Sequence, residues 1–300
     1  MRTTLRKLTV ARLLVIFLLL PALTSAETAV QVWVQSYSRG YGNDTARAIA
    51  VDGNNNVIVT GFSWGGGTSS DYATIKYSSA GVVLWTKLYN YGGFDYANAV
   101  AVDGNNDVIV TGQSTGSDGH TLDYATIKYS SAGIPLWTNR YNELGNGNAV
   151  AKSVAVDGNN DVIVTGIVTI KYSSTGVPLW TNHYGAYFFN SARAVAVDSS
   201  NNVIVTGNSS SISSADYATI KYSSAGVPLW TNRYDGSRNG YDDAMAVAVD
   251  SSDNVIVTGL RPAAAAVTIT RQSSIRATAC RFGPTAITDQ GTTLTLPAPW

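Results

Sequence analysis

Residues Val51–Gly61 read VDGNNNVIVTG, and close copies of this phrase recur along the chain. The copies begin at Val102, Val156, Val197 and Val249. A second phrase, DYATIKYSSAG at Asp71–Gly81, follows the first four copies in similar form, and each of these four units then ends in Leu-Trp-Thr. The units recur at intervals of about 50 residues, which is typical of a stacked or radial repeat array.

Each unit predicts four short strands. Ala48–Val51 alternates small and β-branched residues, and Asp52–Asn55 has the Asp, Gly and Asn residues that favour turns. Val57–Val59 is an apolar run, while Tyr72–Tyr77 and Leu84–Tyr89 alternate around a Ser-Ser-Ala-Gly turn. Four antiparallel strands in about 50 residues make one blade of a β-propeller. We therefore predict an all-β propeller of about five four-stranded antiparallel blades, which the chain ends could leave incomplete.

These phrases carry a family resemblance. VDGNNDVIVTG and DYATIKYSSAG resemble the bacterial SBBP-type β-propeller repeat of secreted and surface proteins. The resemblance covers about residues 31–259. It implies an extracellular propeller, and it transfers no general catalytic motif.

Two irregularities qualify the repeat. Residues Gln31–Tyr37 resemble the Trp-containing fourth strand of a blade without its first three strands. We therefore predict that the Trp33 strand closes the last blade. In the third unit, Gly166 is left to turn between the second and third strands, which predicts a tight or distorted blade.

The repeats occupy residues 27–259, and residues 260–300 change in character. If the codons of residues 269–289 are read one base out of frame, they can encode the repeat. The encoded sequence then agrees with residues 216–236 at all but two positions. We therefore hypothesise that the tail is an out-of-frame reading of a further repeat.

The N-terminus has the layout of a signal peptide. Residues 1–26 contain basic residues, then the apolar run Leu13–Leu20, then small residues ending at Ala26. That run is far shorter than the ~20 residues of a spanning helix, so we expect no transmembrane anchor in the mature chain. The interpretation predicts a secreted or cell-surface protein. The chain has one cysteine, Cys280, so no intramolecular disulfide is expected.

Composition excludes a nucleic-acid partner. Only 13% of the residues are charged, and 20 Lys and Arg balance 20 Asp and Glu. Removal of the leader also removes four basic residues and leaves a mature chain that is net negative. No basic run remains, whereas a nucleic-acid surface needs one.

Two turns place oxygen ligands at alternate positions, as in the first half of a calcium loop. They are Asp103, Asn105 and Asp107, and Asp157, Asn159 and Asp161. However, valine stands at the sixth position where an EF-type loop has glycine, and no bidentate glutamate follows. Calcium binding and a polar hairpin turn both remain open, the departures favour the turn, and no other cofactor is predicted.

Loops on a rigid scaffold usually carry the function, and aromatic residues are frequent in the loops between blades. The candidate ligand-binding residues are Tyr91, Phe94, Tyr96, Tyr187, Phe188 and Tyr241. We predict that they line one face and bind an extracellular polymer, glycan or protein. The tryptophan of each unit is assigned to blade packing, and the recurring lysine of the third strand to solvent or to a nearby aspartate.

Catalytic patterns are sparse. The two histidines, His120 and His183, lie in different units, and neither is followed by a G-x-S-x-G elbow. Carboxylate pairs could be assembled from residues such as Asp95, Asp242 and Asp243, but the sequence does not set their separation. We therefore expect a non-enzymatic binding scaffold. The alternatives are an extracellular hydrolase or lyase acting on polysaccharide, and a truncated propeller fragment without stable function.

Overall fold

The computed structural model describes residues 30–40, 42–65, 69–142, 147–183, 191–210, 215–235 and 241–260, and strands at 266–270, 277–281, 285–287 and 293–295. The described part contains β-strands and no helix. Val34–Trp300 forms one compact unit, and Met1–Trp33 is assigned to another. The leader and two candidate residues, Tyr187 and Phe188, lie outside the described residues.

Five sheets contain four strands each, hydrogen-bonded in sequence order, and each sheet is called a blade here. Blade 1 contains β1 (Asp44–Val51), β2 (Val57–Trp64), β3 (Ser70–Tyr77) and β4 (Val83–Tyr89). Blade 2 contains β5 (Asp95–Val102), β6 (Val108–Thr115), β7 (Leu122–Tyr129) and β8 (Pro135–Tyr141). Blade 3 contains β9 (Ser153–Val156), β10 (Val162–Thr165), β11 (Val168–Tyr172) and β12 (Pro178–His183).

Blade 4 contains β13 (Ser191–Val197), β14 (Val203–Ser210), β15 (Ala215–Tyr222) and β16 (Pro228–Tyr234). Blade 5 contains β17 (Asp243–Val249), β18 (Val255–Leu260), β19 (Ala266–Thr270) and β20 (Ala277–Arg281). A separate pair is formed by β21 (Thr285–Ile287) and β22 (Thr293–Thr295).

The first strands of the blades form the inside of the array. β1 contacts β5, β5 contacts β9, β9 contacts β13, and β13 contacts β17. All neighbouring strands within a blade are antiparallel. This radial arrangement of four-stranded sheets is that of a β-propeller, and it confirms the predicted fold class.

Apolar side chains fill the space between successive blades. Ile58 and Tyr72 of blade 1 pack with Ala97, Val108 and Val110 of blade 2, and all five are at most 1% exposed. Between blades 4 and 5, the equivalent cluster includes Ile204, Tyr217, Ala244, Val255 and Val257. The core is therefore a series of similar interfaces between blades. We call the face of a blade that packs on the next blade its front, and the face that packs on the preceding blade its back.

The recurring lysines are buried ion-pair partners. Lys76 Nζ lies 2.7 Å from Asp52 Oδ2, and Lys221 Nζ lies 2.6 Å from Asp198 Oδ2. The lysines of blades 2 and 3 make the same pair, Lys128 with Asp103 and Lys171 with Asp157. Pairing with aspartate is therefore confirmed. The alternative of a solvent-exposed lysine is wrong, because all four lysines are at most 2% exposed and their strand lies between the second and fourth strands.

The same lysines and the repeated tryptophans join neighbouring blades. Lys76 Nζ and Trp85 Nε1 both donate to the carbonyl oxygen of Ser131 in blade 2, at 3.2 and 3.1 Å. The arrangement recurs at Ser174 and Ser224. The turn that offers this carbonyl ends in a glycine with positive φ, and a Cβ on Gly226 would lie only 2.7 Å from Trp180 Cγ. The tryptophan therefore packs directly on the turn of the next blade.

Blade 3 has a tight hairpin, as predicted. Thr165 pairs with Thr169, and Gly166 N donates to Val168 O at 3.0 Å. Tyr124 Oη of blade 2 lies 3.1 Å from both the nitrogen and the oxygen of Val168. The neighbouring blade thus supplies hydrogen bonds to the shortened strand.

The prediction that the Trp33 strand closes the last blade is wrong for this structure. Residues 30–39 form no strand. The fourth place in blade 5 is taken by β20, which pairs with β19 through five residues. Since β20 already hydrogen-bonds along the edge of β19, that edge is not available to the N-terminal segment.

Candidate functional site

The inner strands share a β-bulge. In blade 1, Ala46 pairs with Gly61 and Ala48 pairs with Thr60, so Arg47 is the extra residue. The same register shift occurs at Asn98, Arg193 and Met245. A bulge re-aims the side chain of its extra residue and frequently lies next to a functional site.

We call five equivalent residues the bulge residues, and they are Arg47, Asn98, Lys152, Arg193 and Met245. Lys152 takes this position in blade 3, where it lies just before β9 and its backbone N donates to Thr165 O at 2.8 Å.

Side-chain bonds connect the bulge residues of blades 1 to 4 to the following blade. Arg47 Nη1 donates to Asn98 Oδ1, and Asn98 Nδ2 donates to Ala151 O at 2.8 Å. Lys152 Nζ donates to Ser191 Oγ at 2.5 Å. Arg193 Nη2 lies 2.6 Å from Asp243 Oδ2 in blade 5. The bulge residues therefore form a continuous arc over neighbouring inner strands.

Lys152 brings a positive charge to the arc, and no carboxylate among the described residues forms an ion pair with it. This side chain is half-buried, and its hydrogen-bond acceptor is a hydroxyl group rather than a carboxylate. Burial lowers the pKa of Lys152, and the nearby charge of Arg193 lowers it further, while Asp243 opposes both effects. Asp243 is itself bonded to Arg193. The ammonium of Lys152 is thus partly desolvated beside a second cation.

Two of the predicted aromatic residues lie beside the arc. Arg47 Cζ is 4.9 Å from the ring centroid of Phe62 and 5.3 Å from that of Tyr96. Phe94 stacks against Tyr96 with 6.1 Å between ring centroids and 10° between planes, and it is 45% exposed. The structure therefore brings Phe94, Tyr96 and Arg47 together at the boundary of blades 1 and 2.

The other described aromatic candidates, Tyr91 and Tyr241, make different contacts. Arg140 Cζ lies 3.8 Å from the ring centroid of Tyr91, so one face of that ring is covered. Arg140 is fixed by Asp123 at 2.7 Å. Tyr241 is 58% exposed, and its hydroxyl accepts a hydrogen bond from Asn208 at 2.9 Å.

The two candidate calcium turns are occupied by lysine. Lys128 Nζ lies 2.6 Å from Asp103 and 3.4 Å from Asp107, and Lys171 Nζ lies 2.7 Å from Asp157 and 3.2 Å from Asp161. The remaining two candidates, Asn105 and Asn159, are exposed. In the described residues, no three His, Cys, Asp or Glu side chains are grouped to hold a metal. An ammonium group between the carboxylates favours the polar-turn interpretation.

The carboxylates considered for catalysis are buried on different blades. Asp95 lies in blade 2 and is fully buried, and Asp242 and Asp243 lie at the start of blade 5. Burial raises the pKa of Asp95, although hydrogen bonds from Ser114 and the Tyr91 backbone oppose this effect. His120 and His183 are exposed and lie in blades 2 and 3.

The sequence did contain a signal for the bulge. The first phrase always ends in glycine, and a Cβ on Gly61 would lie 1.9 Å from the carbonyl oxygen of Thr45. The requirement for glycine arises because the bulged strand approaches that closely. The bulge position itself lies between small residues and varies from unit to unit.

Comparisons with known proteins support no functional assignment. No family model matches the chain. A WD repeat-containing protein of Acanthamoeba polyphaga mimivirus, L264, is 29% identical over 39% of this chain, and the match spans 12% of that protein.

Several solved structures resemble the chain, including the following three. A Bacteroides caccae protein of unknown function gives a TM-score of 0.47 at 12% identity, over 74% of this chain and 70% of its own. BamB of Moraxella catarrhalis gives a TM-score of 0.47 at 11% identity, and the match covers 84% of this chain and 76% of that protein. The extracellular domain of BT4673 from B. thetaiotaomicron gives a TM-score of 0.48 at 13% identity, and the match covers 80% of this chain and 29% of that one. The architecture is therefore taken from the sheets of the chain itself.

In the part of the chain that is described, no helix has the length and apolar character needed to cross a membrane.

Proposed function

We propose that this chain is a secreted or cell-surface, non-enzymatic β-propeller that binds an acidic saccharide at the inner-strand arc. The observation that carries the proposal is the half-buried Lys152 beside Arg193, with a serine hydroxyl as its hydrogen-bond acceptor. A partly desolvated cation gains free energy when an anion approaches, because the anion favours its charged form.

The saccharide part of the proposal rests on the aromatic cluster. Phe94 and Tyr96 lie beside Arg47 at the other end of the arc, and Phe94 is 45% exposed. Binding sites combine aromatic surface with a few well-placed polar groups. Ring faces can cover the apolar faces of sugars, while Lys152 and the arginines contact carboxylate or sulfate groups. A sugar polymer at a cell surface is compatible with the predicted export.

Absence of catalysis is part of the proposal. The two histidines are exposed on separate blades, and the buried Asp95 and Asp242 lie on blades 2 and 5. Glycoside hydrolysis needs two carboxyl groups within about 10 Å of each other on either side of one bond.

Calorimetric titration of the mature chain with oligogalacturonate tests the proposal. We expect saturable binding that weakens with added salt, and no binding of an uncharged oligosaccharide of equal length. Lys152→Met should weaken binding by tenfold or more. Lys87→Met, which removes a half-buried lysine from the outer strand β4, is the control and should bind normally.

A thermal melt of the same sample separates this proposal from the fragment alternative. A cooperative transition is expected for the binding scaffold. A chain that melts without cooperativity would support the truncated fragment instead. Equal loss of binding in both lysine variants would show that only net charge matters, and would contradict the assigned site.

A further inference from the structure

Blade 1 exposes apolar residues that the other blades cover. Ile49 is 68% exposed and Val51 is 58% exposed. Their counterparts are buried or half-buried in every other blade. These counterparts are Val100, Val154, Val195 and Val247 for Ile49, and Val102, Val156, Val197 and Val249 for Val51. The back of blade 1 therefore has an open inner half.

The outer half of the same face is covered. Ile75 and Tyr77 are only 5% and 6% exposed. Gln35 Nε2 donates to Gly81 O at 3.0 Å, as Asn139 of blade 2 donates to Gly176 O of blade 3 at 2.7 Å. Gln35 thus takes the place that the equivalent residue of a preceding fourth strand would take. Only the place of the three inner strands remains exposed.

Blade 5 also has an uncovered surface, but it lies on the front of the blade. Ile256 is half-buried and Thr258 is exposed. The equivalent residues of the other blades are at most 1% exposed. They are Ile58, Ile109, Ile163 and Ile204, and Thr60, Thr111, Thr165 and Thr206. The front of blade 5 is therefore open where the front of every other blade is covered.

The two open surfaces are complementary, because the chain joins the same front to the same back four times within itself. We propose that two copies of this chain associate head to tail, with blade 5 of one copy packed on blade 1 of the other. The surfaces are exposed together in one chain, so they do not cover each other there. A contact between different surfaces on two copies is heterologous, and it can extend to further copies.

A repeated polar contact defines the register of this association. Gly53 N donates to Asn106 Oδ1 of the next blade at 2.7 Å, and Ser199 N donates to Asp253 Oδ1 at 2.9 Å. Blades 2 and 3 make the same contact with their successors. By the same rule, Ser251 N of one copy should donate to Asn55 Oδ1 of the other.

Sedimentation velocity of the mature chain, from low micromolar to several hundred micromolar, tests the proposal. We expect concentration-dependent dimers and larger species. Val51→Glu should weaken association at least tenfold, because a charge would enter the apolar contact. Val177→Glu is the control, since Val177 is also 58% exposed but lies in the turn before β12. A wild-type chain that stays monomeric throughout would overturn the proposal and would favour closure within one chain.

Two further experiments keep the test independent of folding defects. Ser251→Pro removes one backbone N–H at a turn position that accepts proline, and it should weaken association without lowering the melting temperature. A mixture of Val51→Glu and Thr258→Glu chains retains one intact surface of each kind. The mixture should give a one-to-one dimer, while each variant alone stays monomeric. Failure of the mixture to dimerise would contradict the head-to-tail arrangement.

Discussion

Lys76 Nζ lies 2.7 Å from Asp52 Oδ2, and both side chains are at most 2% exposed. The same ammonium group donates to Ser131 O in blade 2. Asp52 also accepts hydrogen bonds from the backbone N–H groups of Asn54 and Asn56. One ion pair therefore fixes the first turn of its own blade and contacts the last turn of the next.

Breaking this ion pair from one side should be strongly destabilising. Lys76→Met leaves the Asp52 carboxylate buried without its counterion, which costs about 3–5 kcal/mol. The double variant Lys76→Met with Asp52→Asn should recover part of the loss. Chemical denaturation measures both, and Lys87→Met should change stability by less than about 0.5 kcal/mol. A loss no larger than that of the control would contradict the role of the pair.

Acid should remove part of the stability. Burial alone would raise the pKa of Asp52, but hydrogen bonds from Lys76 and Asn56 lower it to about 2. An unfolded aspartate has a pKa of about 3.9. The stabilisation, about 2.6 kcal/mol, is therefore present above about pH 4 and lost as pH falls towards 2.

Unfolding free energies at a series of acidic pH values measure this effect. Asp52→Asn should show a flatter dependence than the wild type, because asparagine does not titrate. Identical slopes in the two proteins would contradict the lowered pKa.

Two glycines with nearly equal φ separate backbone strain from packing. Gly226 has φ +82° and would place a Cβ 2.7 Å from Trp180, whereas Gly40 has φ +81° and nothing within 4 Å. Gly40→Ala should cost about 1 kcal/mol from the left-handed backbone alone. Gly226→Ala should cost more and should lower the melting temperature further. Equal effects would show that the tryptophan gives way freely.

Lys152 should give the folded protein a distinctive alkaline pH dependence. Its pKa is lowered in the folded state by burial and by Arg193, so the unfolded chain holds this proton more tightly. Folding stability should therefore rise as pH approaches the unfolded value of about 10. Lys152→Met should lack this rise, and melting curves recorded from neutral to alkaline pH would show the difference. Bound acidic saccharide should reduce the rise in the wild type, because it favours the charged ammonium.

The sequence predicted the blades because their strands are local patterns repeated five times. The β1 strand nevertheless begins four residues before the predicted Ala48, because the bulge at Arg47 interrupts the alternation that marks a strand. The burial of Lys76 was missed for a different reason. Its partner Asp52 lies two strands away in the sequence, and only the fold brings them together.

The candidate site was harder to predict than the fold. Phe94 and Tyr96 were identified as loop-face aromatics, but their neighbour Arg47 belongs to another blade. Lys152 carries no motif, and its significance comes from half-burial beside Arg193. Such properties depend on contacts between blades, which a reading of each unit by itself does not contain.

The bonds from lysine and tryptophan to the serine carbonyl of the next turn give the array a direction. At Ser131, Ser174 and Ser224, the donors belong to the earlier blade and the acceptor to the later one. Ribosomal synthesis runs from the N-terminus, so the donors of each blade are made before the acceptor of the next blade. Each tryptophan N–H therefore leaves the ribosome before its acceptor, which belongs to the next blade. The lysine ammonium already has an aspartate in its own blade. These bonds between blades are therefore completed in order along the chain, each when the following blade is added.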